Sequence, residues 1–469
     1  MEMSVLSRKF YSYYAYKCES CSVDCYFEYS NSVIFTSESC DEKAGEQEKF
    51  LLVITECEVP DFFGAGEVGR YVRRDNIVIQ GIISFFSGIP ITIYDRCKCH
   101  ISMELMEYDK KEVYLKIDDV DFTIDLKILL KKLTDTSDVN ATLIDKWRRA
   151  IFLKNESEDA DLFYDETILN FFQILEILSD NHSDKLKARL RSKIDDALNF
   201  YLQYCYMTES QVNQIKNNNI KTIEKILFKD TFNLSAKIKY FLECHNLLDE
   251  NVSAFVDELV KIRNEIAHGR KTYQEKFIWP LSAFFNLAKD SYEIVEFLTF
   301  FTGAMISKYI GINTWLSEWN EIEKFLMPPK NVVQKFLDGQ LSQKIVNIIS
   351  LVDGNEYNIT WRTLFNFYVK NPELKIRKKM EVILKEAFLN TNLNDKNSPD
   401  IFNISIILAD SDDFEVKAKA IDNVKWIISK KWHFYSNYKD AYSYLEFYSV
   451  NITWYKNFLN NKDAKNFYP

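Results

Sequence analysis

Glycine and proline are scarce in this chain, at 11 and 8 of 469 residues. So few turn residues lean toward helix and away from a turn-rich all-β architecture. Long apolar runs are missing too. No stretch approaches the roughly 20 residues of a membrane span, and the start, MEMSVLSRKFYSYYAYK, lacks the apolar core of a signal peptide. The expectation is a soluble, cytoplasmic protein with no membrane partner. Net positive charge is absent as well, since 59 Lys and Arg face 69 Asp and Glu for a formal charge of -10. Residues 1–140 hold 16 basic against 25 acidic residues, whereas residues 141–469 hold 43 against 44. Nearly all the acidic excess is therefore N-terminal. That argues against broad, nonspecific nucleic-acid wrapping, but it leaves room for a focused positive cleft in the near-neutral part. What is present, 47% hydrophobic and 27% charged residues with abundant Phe and Tyr, belongs to a folded chain of roughly two to four domains.

The pattern predicts an α+β protein. Over residues 1–132, short β-branched and aromatic stretches recur at Val33–Phe35, Phe50–Val59, Asn76–Phe86, Pro90–Tyr94, His100–Met106, Val113–Ile117 and Val120–Leu126. They read as a mainly antiparallel β domain that hands over to helix near Leu126. From Ala141 the period becomes helical, with helices expected near 141–153, 164–180, 184–206, 219–228, 232–247, 251–268 and 281–309. Val252, Phe255, Val256, Leu259, Ile262 and Ile266 fall on one helical stripe. This all-α domain spans residues 141–312. A helical C-terminal region covers 313–469, with helices near 331–350, 359–369, 373–388 and 412–430, helix-compatible aromatic stretches at 435–444 and 448–458, and a polar joint at 390–397. Within it, Pro328-Pro329 breaks the chain after a Trp-bearing helix that includes Trp315 and Trp319.

The residues that carry chemistry are Arg263-Asn264-Glu265-Ile266-Ala267-His268, at the end of the striped helix and just before Gly269. Asn264 and His268 are four apart and share a face. Arg263 is offset from His268 by about 140° with a rise of roughly 7.5 Å, so the two converge poorly within one helix. A second copy across a two-fold axis would put two arginines and two histidines in one cleft. The set suits RNA cleavage without a metal. Histidine can take the proton from a 2′-hydroxyl or give one to the departing 5′-oxygen. Arginine stays charged and grips phosphate oxygens, and Asn264 could hold either the imidazole or the phosphate. Arg270, Lys271, and the run Lys185, Lys187, Arg189, Arg191 and Lys193 could contact the RNA backbone. A plainer reading stays open. Arg263 could pair with Glu258 or Glu265, His268 could cap the last turn, and the basic run could be a solvated helix face.

The segment Phe255 to Gly269 resembles the signature helix of the HEPN superfamily, whose Arg, polar residue, short spacer and His are met by Arg263, Asn264, Glu265 to Ala267, and His268. Phe171 to Leu178 resembles that superfamily's aromatic-rich early helix with an internal acidic residue, here Glu176. The layout is similar to the ApeA-like HEPN proteins of bacterial anti-phage defence. The resemblance covers residues 141–310, is one of layout alone N-terminally, and leaves 313–469 uncovered. It implies a metal-independent endoribonuclease with Arg263, Asn264 and His268 at a homodimer interface, no cofactor for catalysis, RNA as substrate and a phage-encoded trigger, with the N-terminal β domain as its sensor or regulatory part. Glu176 reads either as a polar residue near the cleft or as a helix-face carboxylate. Some HEPN domains act only as binding or dimerisation modules, so a scaffold is the alternative.

Nine cysteines in such a chain are expected to be reduced. Cys18-x2-Cys21 and Cys97-x-Cys99 could together hold a structural zinc. Cys40, Cys57, Cys205 and Cys244 read as small apolar residues. Gly64-Ala65-Gly66-Glu67-Val68-Gly69 lacks the order of a nucleotide-binding loop and reads as a flexible β connection. His100, His182, His245 and His433 are scattered.

Overall fold

The computed structural model describes residues 7–18, 20–37, 49–135, 138–155, 163–205, 207–215, 222–223, 226, 233–268, 289–341, 351–352, 357–394, 397–430 and 438–460. The chain divides into two units. One comprises Met1–Asn246, Arg263–Arg270 and Ile294–Asn320, the other Leu247–Ile262, Lys271–Glu293 and Glu321–Pro469.

The first unit opens with strands β1 (Ser7–Lys17), β2 (Val23–Tyr29), β3 (Ser32–Ser37), β4 (Phe50–Pro60), β5 (Arg96–Ser102), β6 (Tyr114–Ile117) and β7 (Val120–Asp121). They form one antiparallel sheet in the order β5-β1-β4-β3-β2-β6-β7. β1 and β4 pair over their full length, from Ser7↔Pro60 to Lys17↔Phe50. The β6–β7 hairpin turns through Asp118 and Asp119, both at positive φ (48° and 67°), the twist a two-residue hairpin needs. The tyrosine-rich β1 and the strand β2 were not anticipated from the sequence.

Helices lie in this unit beside the sheet. α1 (Ala65–Tyr71) starts at Gly64, whose N–H donates to Glu67 Oε2 at 3.1 Å, so the glycine-bearing segment is a capped helix and not a β connection. α2 (Arg73–Ser87) replaces the strand expected at Asn76–Phe86. Asn76 and every residue from Val78 to Phe86 are buried, and a short apolar run buried on all sides looks the same to a periodicity argument in helix or strand. Gly88 ends it at φ 73°, a left-handed cap that glycine adopts without strain. The strand expected at Pro90–Tyr94 is instead a coil leading into a 3-10 turn at Ile93–Asp95. The one expected at Val120–Leu126 lasts two residues before helix α3 (Thr123–Asp135).

α4 (Val139–Asn155) and α5 (Tyr164–Leu202) follow. Two helices were expected where α5 runs unbroken for 39 residues. No proline or glycine falls within it, so nothing forces a break. α6 (Leu234–Cys244), α7 (Glu250–Ala267) and α8 (Lys289–Ile310) complete the central helices; the segment expected at 219–228 lies almost wholly outside the described residues. Sheet-side and later helices share one core. Phe85 of α2 meets Trp147 of α4 edge-on at 5.3 Å, Trp147 meets Trp315 at 5.2 Å, and Trp315 Nε1 donates to Phe85 O at 2.9 Å. A Cβ on Gly303 would sit 2.8 Å from Trp315 Cγ, so only glycine lets the indole lie on α8.

α9 (Leu316–Ile322) leads into the second unit, which holds α10 (Lys330–Leu337), α11 (Trp361–Lys370), α12 (Leu374–Asn390), α13 (Ser398–Leu408), α14 (Phe414–Ser429), α15 (Tyr438–Phe447) and α16 (Thr453–Asn460). α13, absent from the sequence reading, is buried at every position from Ile401 to Leu408, and its core includes Trp361, Phe388 and Tyr455. Asp413 caps α14, accepting from the N–H groups of Glu415 and Val416. A sheet first, then a long run of helices, then further C-terminal helices: the expected α+β class holds. Among the described residues no helix is long and apolar enough to cross a membrane.

Candidate active site

Helix α5 presents one side of the site. Asp165 and Glu166 in its first turn oppose the positive end of the helix dipole. Thr167, Ile168, Phe171, Phe172, Ile174, Leu175 and Leu178 are buried, which anchors this half. Phe172 and Glu176 are four apart and therefore neighbours on its surface. Helix α7 supplies the other side. Val252, Phe255, Val256, Leu259 and Ile262 are buried as the apolar stripe required, and the polar residues come last.

Arg263 is held between the two. Its guanidinium lies over the Phe172 ring at 5.9 Å, Nη2 donates to Glu176 Oε1 at 2.7 Å, and Nη1 donates to Asn264 Oδ1 at 3.3 Å. The carboxylate partner is thus Glu176, 87 residues away, and neither Glu258 nor Glu265. Both side chains of the pair remain 30% exposed, so water screens the ion pair and its worth is about 1 kcal/mol. Its larger effect is geometric: three contacts fix one rotamer of a long side chain and aim its remaining donors.

Asn264 and His268 are exposed. The His268 N–H closes the last turn on Asn264 O at 3.2 Å, and its imidazole has no hydrogen-bond partner among the described residues. A partly buried, oriented guanidinium and an exposed imidazole therefore occupy the same helix end. Gly269, Arg270 and Lys271 lie outside the described residues. Farther along α5, Lys187 pairs with Asp184 at 3.0 Å and Arg191 is exposed.

Two histidines that looked scattered in sequence meet in this unit. His245 Nε2 lies 3.4 Å from His182 Nε2, and His182 Nδ1 lies 3.3 Å from Leu178 O. A carbonyl only accepts, so His182 Nδ1 carries a hydrogen and, in the neutral ring, its Nε2 accepts from His245 Nε2–H. Burial pulls both imidazoles below the usual histidine range; Lys185 adds to the effect on both, and Lys308 and the paired ring add to it at His245. The unfolded chain therefore takes up these protons first as pH falls. Their contribution to stability is complete above the ordinary histidine pKa, about 6.5, and is lost below it. Urea midpoints of the full chain are expected to fall between pH 7.5 and pH 5.5, and the fall should shrink in the His182→Gln/His245→Gln variant. An unchanged fall would remove the pair from the account.

The cysteines are free among the described residues. The Cys18 and Cys21 thiols hydrogen-bond to one another, which pushes Cys18 up and holds Cys21 below the usual thiol range, while burial raises Cys25 to about 12. Cys97 lines a cavity with Cys18 and Cys21 and donates to Ala15 O at 3.3 Å; Cys99 is exposed on β5. Among the described residues no group of three or more His, Cys, Asp and Glu is arranged to hold a metal ion, and Cys40 lies outside them.

Neither a curated protein nor a solved structure matches the chain. Residues 169–287, which carry Glu176, Arg263, Asn264 and His268, match the family model described as Apea-like HEPN.

Proposed function

We propose that the protein is an endoribonuclease of anti-phage defence whose active site pairs Arg263 and His268 from two copies of the chain. The observation that carries this reading is the helix end itself: an arginine oriented by Phe172 and Glu176, beside an exposed histidine, within a stretch similar to the Apea-like HEPN domain. One neutral imidazole takes the proton of the 2′-hydroxyl as that oxygen bonds to phosphorus. The partner's protonated imidazole gives its proton to the leaving 5′-oxygen. The two arginines hold the extra negative charge of the transition state, and the products are a 2′,3′-cyclic phosphate and a 5′-hydroxyl. Arg270, Lys271, Lys187 and Arg191 contact the RNA backbone, and a phage-encoded trigger releases the activity in the cytoplasm.

One observation favours the scaffold alternative. Arg263 already has a carboxylate partner, as a purely structural arginine would. Mixing decides between them. Co-folding wild type with an excess of His268→Ala chains is expected to lower cleavage in step with the loss of wild-type pairs, because a mixed dimer holds one imidazole and the reaction uses two. Excess EDTA is expected to leave the wild-type rate unchanged. A scaffold gives no cleavage in any combination, and a metal-dependent nuclease stops in EDTA.

A further inference from the structure

The first unit carries a cavity of about 570 Å³ well outside the Arg263 neighbourhood in sequence. Its wall contains Arg73, Arg96, Arg148 and Arg149 and, among the described residues, no carboxylate. Asp145 answers two of these charges from behind, at 2.6 Å from Arg148 Nη2 and 2.7 Å from Arg149 Nη2. Arg96 lies over the Tyr14 ring at 5.5 Å, and Arg73 is exposed with no ion pair among the described residues. Two of the four come from the part of the chain where acidic residues outnumber basic ones 25 to 16. Massing arginine there focuses a positive potential on one concavity.

Aromatic and amide groups accompany the charge. Tyr94 is 79% exposed, yet its ring lies parallel to that of Phe152, 6.0 Å away at 12°. Deeper in the wall, Asn76 donates to Val72 O at 3.1 Å, which leaves its Oδ1 without a partner although the residue is 6% exposed. Arg148, 9% exposed, spends Nη1 on Ile91 O and Nη2 on Asp145, and its Nε is likewise unpartnered. Gln80 donates to Tyr16 OH at 3.1 Å. Unsatisfied buried polar atoms are rare and call for an explanation.

We propose that this cavity binds a nucleoside phosphate. The arginines take the phosphate oxygens, the Tyr94–Phe152 platform takes a face of the base, and the amides of Asn76 and Gln80 meet its edge. A simple anion would have no use for the platform, and an apolar ligand none for four arginines. The volume falls in the roughly 300–1,000 Å³ range of small-molecule pockets, which suits one nucleotide better than a strand.

The test titrates the full chain with 2-aminopurine riboside triphosphate, followed by base fluorescence, beside inorganic tripolyphosphate, the free nucleoside and a ten-nucleotide RNA. The nucleotide is expected to bind saturably and at least tenfold tighter than tripolyphosphate or nucleoside. Arg73→Ala/Arg96→Ala should weaken it at least tenfold. Tyr94→Ala, at an exposed position that folding tolerates, should weaken the nucleotide about tenfold and leave tripolyphosphate unchanged. No saturable nucleotide binding, equal affinity for tripolyphosphate, binding of the RNA alone, or affinity untouched by both variants would each overturn the proposal. None of these readouts involves RNA cleavage, so the result stands or falls apart from the ribonuclease reading.

Discussion

Arg263→Ala is expected to lower RNA cleavage at least about 10²–10³-fold, the loss of roughly 2.7–4 kcal/mol that follows removal of a donor aimed at transition-state charge. The fold should survive, because the side chain is 30% exposed and its ion pair with Glu176 is screened. Arg263→Lys is not a conservative control. A lysine keeps the charge but cannot hold Glu176 and present a fork to phosphate at once. Glu176→Gln separates the roles. It removes the carboxylate that competes with RNA while keeping a hydrogen-bond acceptor for Nη2, so cleavage should persist. A larger loss in Glu176→Gln than in Arg263→Ala would mean that the carboxylate, and not the arginine, does the chemistry. Melting curves run beside the kinetics separate lost activity from lost structure.

The second large effect is on stability. Trp147→Ala is expected to cost about 3–5 kcal/mol, the range for emptying a fully buried aromatic site. Trp147 is 0% exposed and touches Phe85 from the sheet-side helix α2 and Trp315 beyond α8. Trp315 cannot settle into the gap easily. Its indole N–H is fixed on Phe85 O, its backbone sits at φ 69°, and Gly303 already packs against its ring. Because the sheet-side and central helices share this core, the strand signal in circular dichroism and the helical signal should shift together. A drop below about 1 kcal/mol, or a shift in the helical signal alone, would contradict the shared core.

What the sequence reveals here depends on how local the cause is. Helix α7 is legible because Val252, Phe255, Val256, Leu259 and Ile262 repeat at the helical period and are all buried; Arg263, Asn264 and His268 then fall at its end by counting. The partner of Arg263 is not legible. Glu176 is 87 residues upstream, and local reasoning could offer only Glu258 and Glu265. The same holds for His182 with His245, and for four arginines gathered from positions 73, 96, 148 and 149. Helix α2 failed for another reason. Between Asn76 and Phe86 almost every side chain is buried, so the wet face that would have revealed a period of 3.6 is missing. Charge hid the cavity too, since an acidic balance over residues 1–140 says nothing about where the few arginines meet.

The central claim, that His268 moves protons in RNA cleavage, is tested by incubating 5′-labelled single-stranded RNA with the purified full chain in EDTA. Wild type and His268→Ala are run side by side, with and without extract of phage-infected cells. The account predicts fragments ending in 2′,3′-cyclic phosphate from the wild type and none from His268→Ala. Equal fragments from both chains, or no cleavage by the wild type under either condition, would contradict it.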